Sequence, residues 1–453
     1  MGVSTTVEPE VSSPLTKPAP DSARRRRVRR QAWAFMGLGH ILTLKQYYSG
    51  AVFAAIEVVF LLSLPRIVTN LYNLVTLGDP APDLPVKERP NSLFMMVDGV
   101  ITIAAILLFV AVYYVSVRSA LAQEQAWLPG DRKPPRRKFG DVMTGAAFPI
   151  FGLAPTVVLI IFFVVVPLVF STLVAFTNYS APEHIPPGKT IDWVGLETFS
   201  LMFGGSATWA SALTRVFTWT IVWALAATIT CYFGGMLIAV LLSESRFRVT
   251  PLVRAVFILP YAIPSVVSLL YWQNALNGAF GTVNKTLLAL GLIDGPIPWL
   301  SDEWLAKFTA VTINLWAGFP YFMLLVIGTM TSISRDVMEA AEVDGASKVN
   351  RFRYIVLPLV MYQTAPLMIL TFAHNLNNFG AIFFLTGGDP AVADTTTTGA
   401  GGTDIMISWI YKLTITLLKY NQASVLAVMI FIVLAPFAIF QFQRTKSYRE
   451  GEV

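Results

Sequence analysis

Cysteine and charge are both scarce in this chain of 453 residues. A single cysteine, Cys231, excludes a disulfide framework, and with only His40, His184 and His374 beside it no Cys/His cluster of zinc-site spacing can form. Charged residues make up 13% against 55% hydrophobic, with a mean hydropathy of +0.61, which excludes an average soluble domain. A nucleotide site is missing too. Gly188-Lys189-Thr190 imitates the end of a phosphate loop, but Glu183 stands where the first glycine belongs and the segment is rich in proline. Nor is there a strand and helix alternation to carry a nucleotide fold.

What is present is a set of long uncharged runs. About 20 apolar residues cross a bilayer as a helix, and such runs place spans near 47–65, 94–117, 147–176, 216–242, 255–275, 308–330, 359–385 and 421–442. The first contains Glu57, and 37–44 reads as a separate interfacial helix. The expected fold is therefore an all-α integral membrane protein of about eight spans.

Residues 1–30 read as a disordered basic tail. They are rich in Pro, Ser and Glu, end in the Arg24–Arg30 run, and lack the short apolar core and cleavage site of a signal peptide. With that tail inside, the cytoplasmic segments hold 24 of the 33 Lys and Arg, which favours both termini inside. The basic run itself suits a cytoplasmic anchor better than a nucleic-acid site.

One polar island interrupts the apolar pattern on the same side, S-R-D-V-M-E-A-A-E-V-D-G-A-S-K-V-N-R-F-R-Y-I-V-L-P at 334–358. Ser334 caps a first short helix, Asp336 and Glu339 suit its positive end, and Gly345 supplies the left-handed residue that stops it. A second short helix runs to Ile355, with Pro358 opening the next span. Ala340 and Ala341 leave one side of the first helix nearly bare, a surface on which another protein's groove can close.

Two spans carry polar or irregular centres. Thr371, His374, Asn375 and Asn378 fall at helical offsets 0, 3, 4 and 7, one face of a continuous helix. Gly318-Phe319-Pro320-Tyr321 interrupts the span before it, freeing backbone carbonyls at the midplane. No carboxylate or amine lies in the stripe or in 308–334, so a neutral, hydroxyl-rich ligand fits, with Phe319, Tyr321, Phe372 and Phe379 offering flat faces to a sugar ring. Polar glue between helices explains the stripe equally well.

Glu339-Ala340-Ala341, Gly345, Ile355 and Leu357-Pro358 are similar to the EAA signature of permease subunits of binding-protein-dependent ABC importers. L-P-Y-A-I-P-S at 259–265, F-G-T-V-N at 280–284, L-W-A-G-F-P-Y at 315–321, T-F-A-H-N-L-N-N-F at 371–379 and T-T-T-T-G-A-G-G-T-D at 395–404 resemble the MalF-type maltose and maltodextrin permeases within it. The likeness covers roughly 210–445, and 31–176 only in layout. It implies a MetI-like permease core at 216–445, a three-span region at 31–176, a short external loop at 177–215 and a cytoplasmic tail at 446–453. It implies that Glu339, Ala340, Ala341, Asp344, Gly345, Leu357 and Pro358 couple to an ATPase, and that Gly318, Tyr321, Thr371, His374, Asn375 and Asn378 lie where sugar is bound.

By the same resemblance the partners are a second homologous permease, two ATPase subunits and an extracytoplasmic solute-binding protein in a bacterial cell membrane. ATP and Mg would sit on the partner ATPase, and this chain would catalyse no covalent step. His374 departs from the pattern, standing where an aromatic ring stacks, and Thr371 replaces a Ser. The external loop is short where well-known relatives carry a folded insert. Two other classes compete. An ion-coupled secondary transporter wants membrane carboxylates, for which only Glu57 and Asp98 qualify, and a membrane scaffold leaves the polar stripe unexplained.

Overall fold

The computed structural model describes residues 22–127, 148–244 and 250–444. The tail at 446–453 and all of 1–21 lie outside them. Contacts divide the chain into two units, 1–170 with 186–190, and 171–185 with 191–453.

In the first unit, α1 (Ser22–Ala34) is a helix, which corrects the expectation of disorder through residue 30. Its Val28 and Ala32 are buried against Val117 and Ala120 of α5 (Ser92–Gln125), and that contact orders a run whose own charges would keep it in solution. A short α2 (Leu38–Leu42) follows, with His40 buried. The first expected span is bent: α3 (Tyr47–Leu62) and α4 (Leu64–Thr76) meet at 52°, where Pro65 opens the second helix. Glu57 of α3 is buried and accepts the backbone N–H of Met36, so its carboxylate holds the turn before α2. Asn91 caps α5 by accepting from Leu93 and Phe94. The third span is built from α6 (Phe148–Ile160) and α7 (Val166–Val174), joined by a π turn at Ile161–Val165.

The second unit is strung along α8 (Ala207–Glu244), a helix of 38 residues. Three apolar clusters succeed one another on it. Trp209, Leu213 and Val216 meet Trp409 and Leu426; Trp219, Trp223 and Ala227 meet Leu269, Ile313 and Ile382; Tyr232, Met236 and Leu242 meet Phe322, Val356 and Val360. The principal neighbour of α8 is α12 (Glu303–Thr331). The two backbones approach at glycines: a Cβ on Gly235 would stand 2.6 Å from the Phe319 carbonyl, and one on Gly318 would stand 2.8 Å from Cys231 Sγ. Small residues at a crossing are how membrane helices pack without a hydrophobic drive between them.

The fifth span is bent by 89° between α9 (Thr250–Ala262) and α10 (Ser265–Ala275), at the prolines of the L-P-Y-A-I-P-S run. Next come α11 (Thr282–Ala289), α12, and the loop pair α13 (Arg335–Val343) and α14 (Lys348–Arg351). A π turn at Phe352–Val356 leads into α15 (Leu357–Leu376), followed by α16 (Phe379–Thr386), α17 (Met406–Tyr411) and α18 (Tyr420–Arg444). Among the described residues, six helices are long and apolar enough to cross a membrane, or up to eight if each bent pair is one span.

Candidate functional site

The polar island folds into the two short helices expected of it. Ser334 Oγ accepts the Asp336 amide, and α13 ends with the Gly345 N–H on the Glu342 carbonyl at 3.1 Å and the Ala346 N–H on Ala341 at 2.9 Å. That double closure needs a left-handed residue between, and Gly345 has φ +75°. Ser347 caps α14, and Arg351 pairs with Glu342 at 3.4 Å across the two helices. Glu339, Ala340, Asp344 and Gly345 are exposed. Ala341 is buried, so the two alanines do not share a bare side: Ala340 points outward and Ala341 seats the helix on the protein.

Pro358 does not begin a new helix. Lys348–Leu376 is one span, and the π turn at Phe352–Val356 lies just ahead of the proline. A proline cannot donate to the carbonyl four residues back and its ring collides with that carbonyl; a widened turn relieves both. The π turn at Ile161–Val165 stands in the same relation to Pro167. The consequence is mechanical, because α14 runs through the π turn into α15 without a break, and only Ser332–Ser334 separate α12 from α13.

Those same two helices carry the expected sugar residues other than Asn378. Along α12, Tyr321 stands ten residues before Thr331, and along α15, Thr371 stands 13 after Pro358, placing both about 15–20 Å from the loop. Span six is not interrupted: α12 continues as helix through Gly318-Phe319-Pro320-Tyr321, and Gly318 serves the crossing with α8. Tyr321 is half-buried with its ring 6.2 Å from Tyr261, and Phe319 packs edge-on to Phe257 at 5.9 Å.

The polar stripe is not one helix face. α15 stops at Leu376, Asn377 caps it with its N–H on the His374 carbonyl, and Asn378 caps α16 by accepting from the Ala381 N–H at 3.3 Å. Asn side chains compete with the helix for backbone groups, so N-L-N-N makes a corner. His374 at the corner is exposed, while Thr371 and Asn378 are half-buried. Asn375 is buried, and its Nδ2 donates to Thr228 Oγ1 of α8 at 3.0 Å, the interhelical bond that the glue reading foresaw. Phe379 stacks on Phe383 at 4.6 Å and lies 4.8 Å from Tyr411, forming an aromatic cluster at the start of α16.

Sequence reasoning missed the ionic framework at the far end of α8. Asp404, fully buried, receives Lys412 Nζ at 2.7 Å, the Gly401 N–H at 2.7 Å and Ser408 Oγ at 2.7 Å. Arg215 binds Asp394 at 2.5 Å and donates to the Gly401 carbonyl at 2.7 Å. Asn284 is likewise saturated: its amide donates to the Gly278 and Ile297 carbonyls, and its oxygen accepts Ile297 N–H and Trp299 Nε1. The aspartate of the T-T-T-T-G-A-G-G-T-D run is visible in the sequence as a charge at the head of the apolar I-M-I-S-W-I stretch. Its partner eight positions on is not.

Residues 232–445 match the family described as "Binding-protein-dependent transport system inner membrane component". Among curated proteins, the chain is 35% identical over 419 residues to the galactooligosaccharides transport system permease protein GanP of Bacillus subtilis, covering 91% of this chain and 96% of that one. It is 33% identical over 428 residues to the maltodextrin transport system permease protein MalC of Streptococcus pneumoniae, covering 92% and 95%. Among solved structures, a chain of a bacterial ABC transporter involved in the import of the acidic polysaccharide alginate is similar in fold, with TM-score 0.54 and 20% identity over 67% of this chain and 96% of that one. With near full-length likeness to two permeases and the EAA-like loop joined to two spanning helices, this chain belongs to the inner-membrane permease components of binding-protein-dependent ABC transport systems.

Proposed function

We propose that this chain forms half of the path by which an ATP-driven importer takes up a neutral oligosaccharide. It would pair with a second homologous permease, two ATPase subunits that hold ATP and Mg, and an extracytoplasmic solute-binding protein. The termini and residues 334–358 would face the cytoplasm. The observation that carries the reading is how short the links are between the loop and the two spans: Ser332–Ser334 join α12 to α13, Asp344–Ser347 join α13 to α14, and α14 runs through the π turn into α15, so a push on Glu339–Gly345 reaches the helices of Tyr321 and Thr371 through tight turns. Closure of the ATPases would then rock those helices and open the midplane site to the other side.

Within the site we assign two roles. Tyr321, Thr371, His374 and Asn378 touch the solute: a phenol and an imidazole lie against the ring's apolar face, and a hydroxyl and an amide meet its hydroxyls. Gly318 and Asn375 hold α12 and α15 against α8, so that those four side chains keep their places. The neutral character of the group supports an uncharged ligand. The galactooligosaccharide and maltodextrin systems to which the two permeases belong support short oligosaccharides as its class.

The deciding experiment is uptake of a panel of labelled galacto- and malto-oligosaccharides into proteoliposomes bearing the whole assembly. Uptake of at least one with ATP, and competition by its unlabelled form, is expected. Transport of none of them by an assembly active in ATP hydrolysis would remove the oligosaccharide reading.

A further inference from the structure

We propose that α1 is a docking surface for anionic phospholipid headgroups. It lies beside the end of α5 in opposite direction: Arg24 Nε meets Glu124 at 3.3 Å, and nine residues on, the Trp33 ring stands 6.1 Å from Tyr113, whose hydroxyl donates to the Trp33 carbonyl at 3.0 Å. The level of the membrane can be read from α5 itself. Between Asp98 and Arg118 lie 19 uncharged residues, Gly99–Val117. At 1.5 Å each they span about 28 Å, the thickness of the hydrocarbon layer.

Arg118 therefore marks one face of that layer, with Tyr113, Tyr114 and Trp33 forming an aromatic belt just inside it. Arg118 folds back onto Tyr114, donating to its hydroxyl at 2.8 Å, as a cation does at a headgroup boundary. The remaining turns of α5, and α1 beside them, stand in the headgroup layer and the water next to it.

The arginines of α1 divide by role. Arg24 is used inward: Glu124 takes it, it donates to the Trp127 carbonyl at 2.7 Å, and its guanidinium lies 4.4 Å from the Trp127 ring. Val28 and Ala32 continue that inner face. Arg25, Arg27, Arg29 and Arg30 are exposed on the rest of the circumference, and Trp33 is 56% exposed at the membrane end. The helix contains no acidic residue, and the carboxylate nearest to it on α5 is already bound by Arg24. A cationic face held rigidly at the boundary with an aromatic beside it is complementary to phosphodiester headgroups carrying net negative charge. Nucleic acid, the other polyanion, has no reason to prefer a face that is anchored at the bilayer surface.

The test uses the full assembly purified into nanodiscs of equal phosphatidylglycerol and phosphatidylcholine, with the retained lipids counted by native mass spectrometry. The wild type should enrich phosphatidylglycerol, and Arg25→Gln, Arg29→Gln and Arg30→Gln combined should abolish most of that enrichment, at about fivefold in headgroup affinity for each charge removed and so on the order of a hundredfold together. Lys285→Gln, an exposed cation in the other unit, should change nothing. Arg24, Val28 and Ala32 are kept, so an unchanged melting temperature certifies the fold. Undiminished enrichment in the triple variant overturns the proposal, as does unchanged enrichment accompanied by loss of an ATPase subunit or of bound RNA.

Discussion

Asn375 of α15 donates its amide to the Thr228 hydroxyl of α8 at 3.0 Å, with both side chains buried. Thr228→Val keeps the shape and removes the acceptor, leaving a buried donor unpaired at a cost of about 1–3 kcal/mol. We expect the melting temperature of the assembly to fall with the apparent affinity for solute changed less than twofold. A large loss of affinity at unchanged stability would make Asn375 a direct ligand.

Asn378 has two duties in this account, capping α16 and meeting the solute. Asn378→Ser retains a cap, since Ser and Asn cap about equally well, and removes the amide. Uptake should drop several-fold with assembly intact. Wild-type uptake would take Asn378 out of the site.

Asp404 and Lys412 form a buried pair whose members are not equivalent to a surface bridge. Removing one partner from such a pair costs about 3–5 kcal/mol. Asp404→Asn is therefore expected to lower thermal stability sharply, and Lys412→Met in the same chain to restore part of it. Additive losses in a double-mutant cycle would contradict the pairing.

His40 is buried on α2, and desolvation lowers its pKa from 6.5 to about 4. The unfolded chain takes up this proton below pH 6.5 while the folded one refuses it until about pH 4, so stability falls as pH drops through that window. In His40→Phe the contribution of this group vanishes, and thermal stability between pH 6.5 and 4 should fall less steeply than in the wild type. Identical slopes would place the titrating group elsewhere.

Six of the eight expected spans, and the two bent helix pairs at the others, were legible because crossing a bilayer demands a long uncharged run, and little else in the sequence imitates one. The cap at Ser334 and the stop at Gly345 were legible for a similar reason: their chemistry is local. What failed were inferences from spacing alone. Offsets of 3, 4 and 7 put Thr371 through Asn378 on a single face, but Asn377 and Asn378 turn the chain there instead. Pro320 reads as an interruption and Pro358 as the opening of a span, whereas α12 continues through the first and a π turn ahead of the second joins it to the helix before. The Asp404–Lys412 and Asn375–Thr228 bonds depend on how helices are brought together in space, and no local pattern encodes that.

The central claim is that a motor on separate subunits drives this chain through the α13–α14 loop. It is tested most directly by measuring labelled oligosaccharide entry into proteoliposomes containing the complete assembly, with wild-type chain or Glu339→Lys. The account predicts entry with ATP, none with a non-hydrolysable analogue, and loss of entry in Glu339→Lys together with weakened retention of the ATPase. Entry at the full rate without nucleotide, or undiminished ATP-dependent entry in Glu339→Lys, would contradict it.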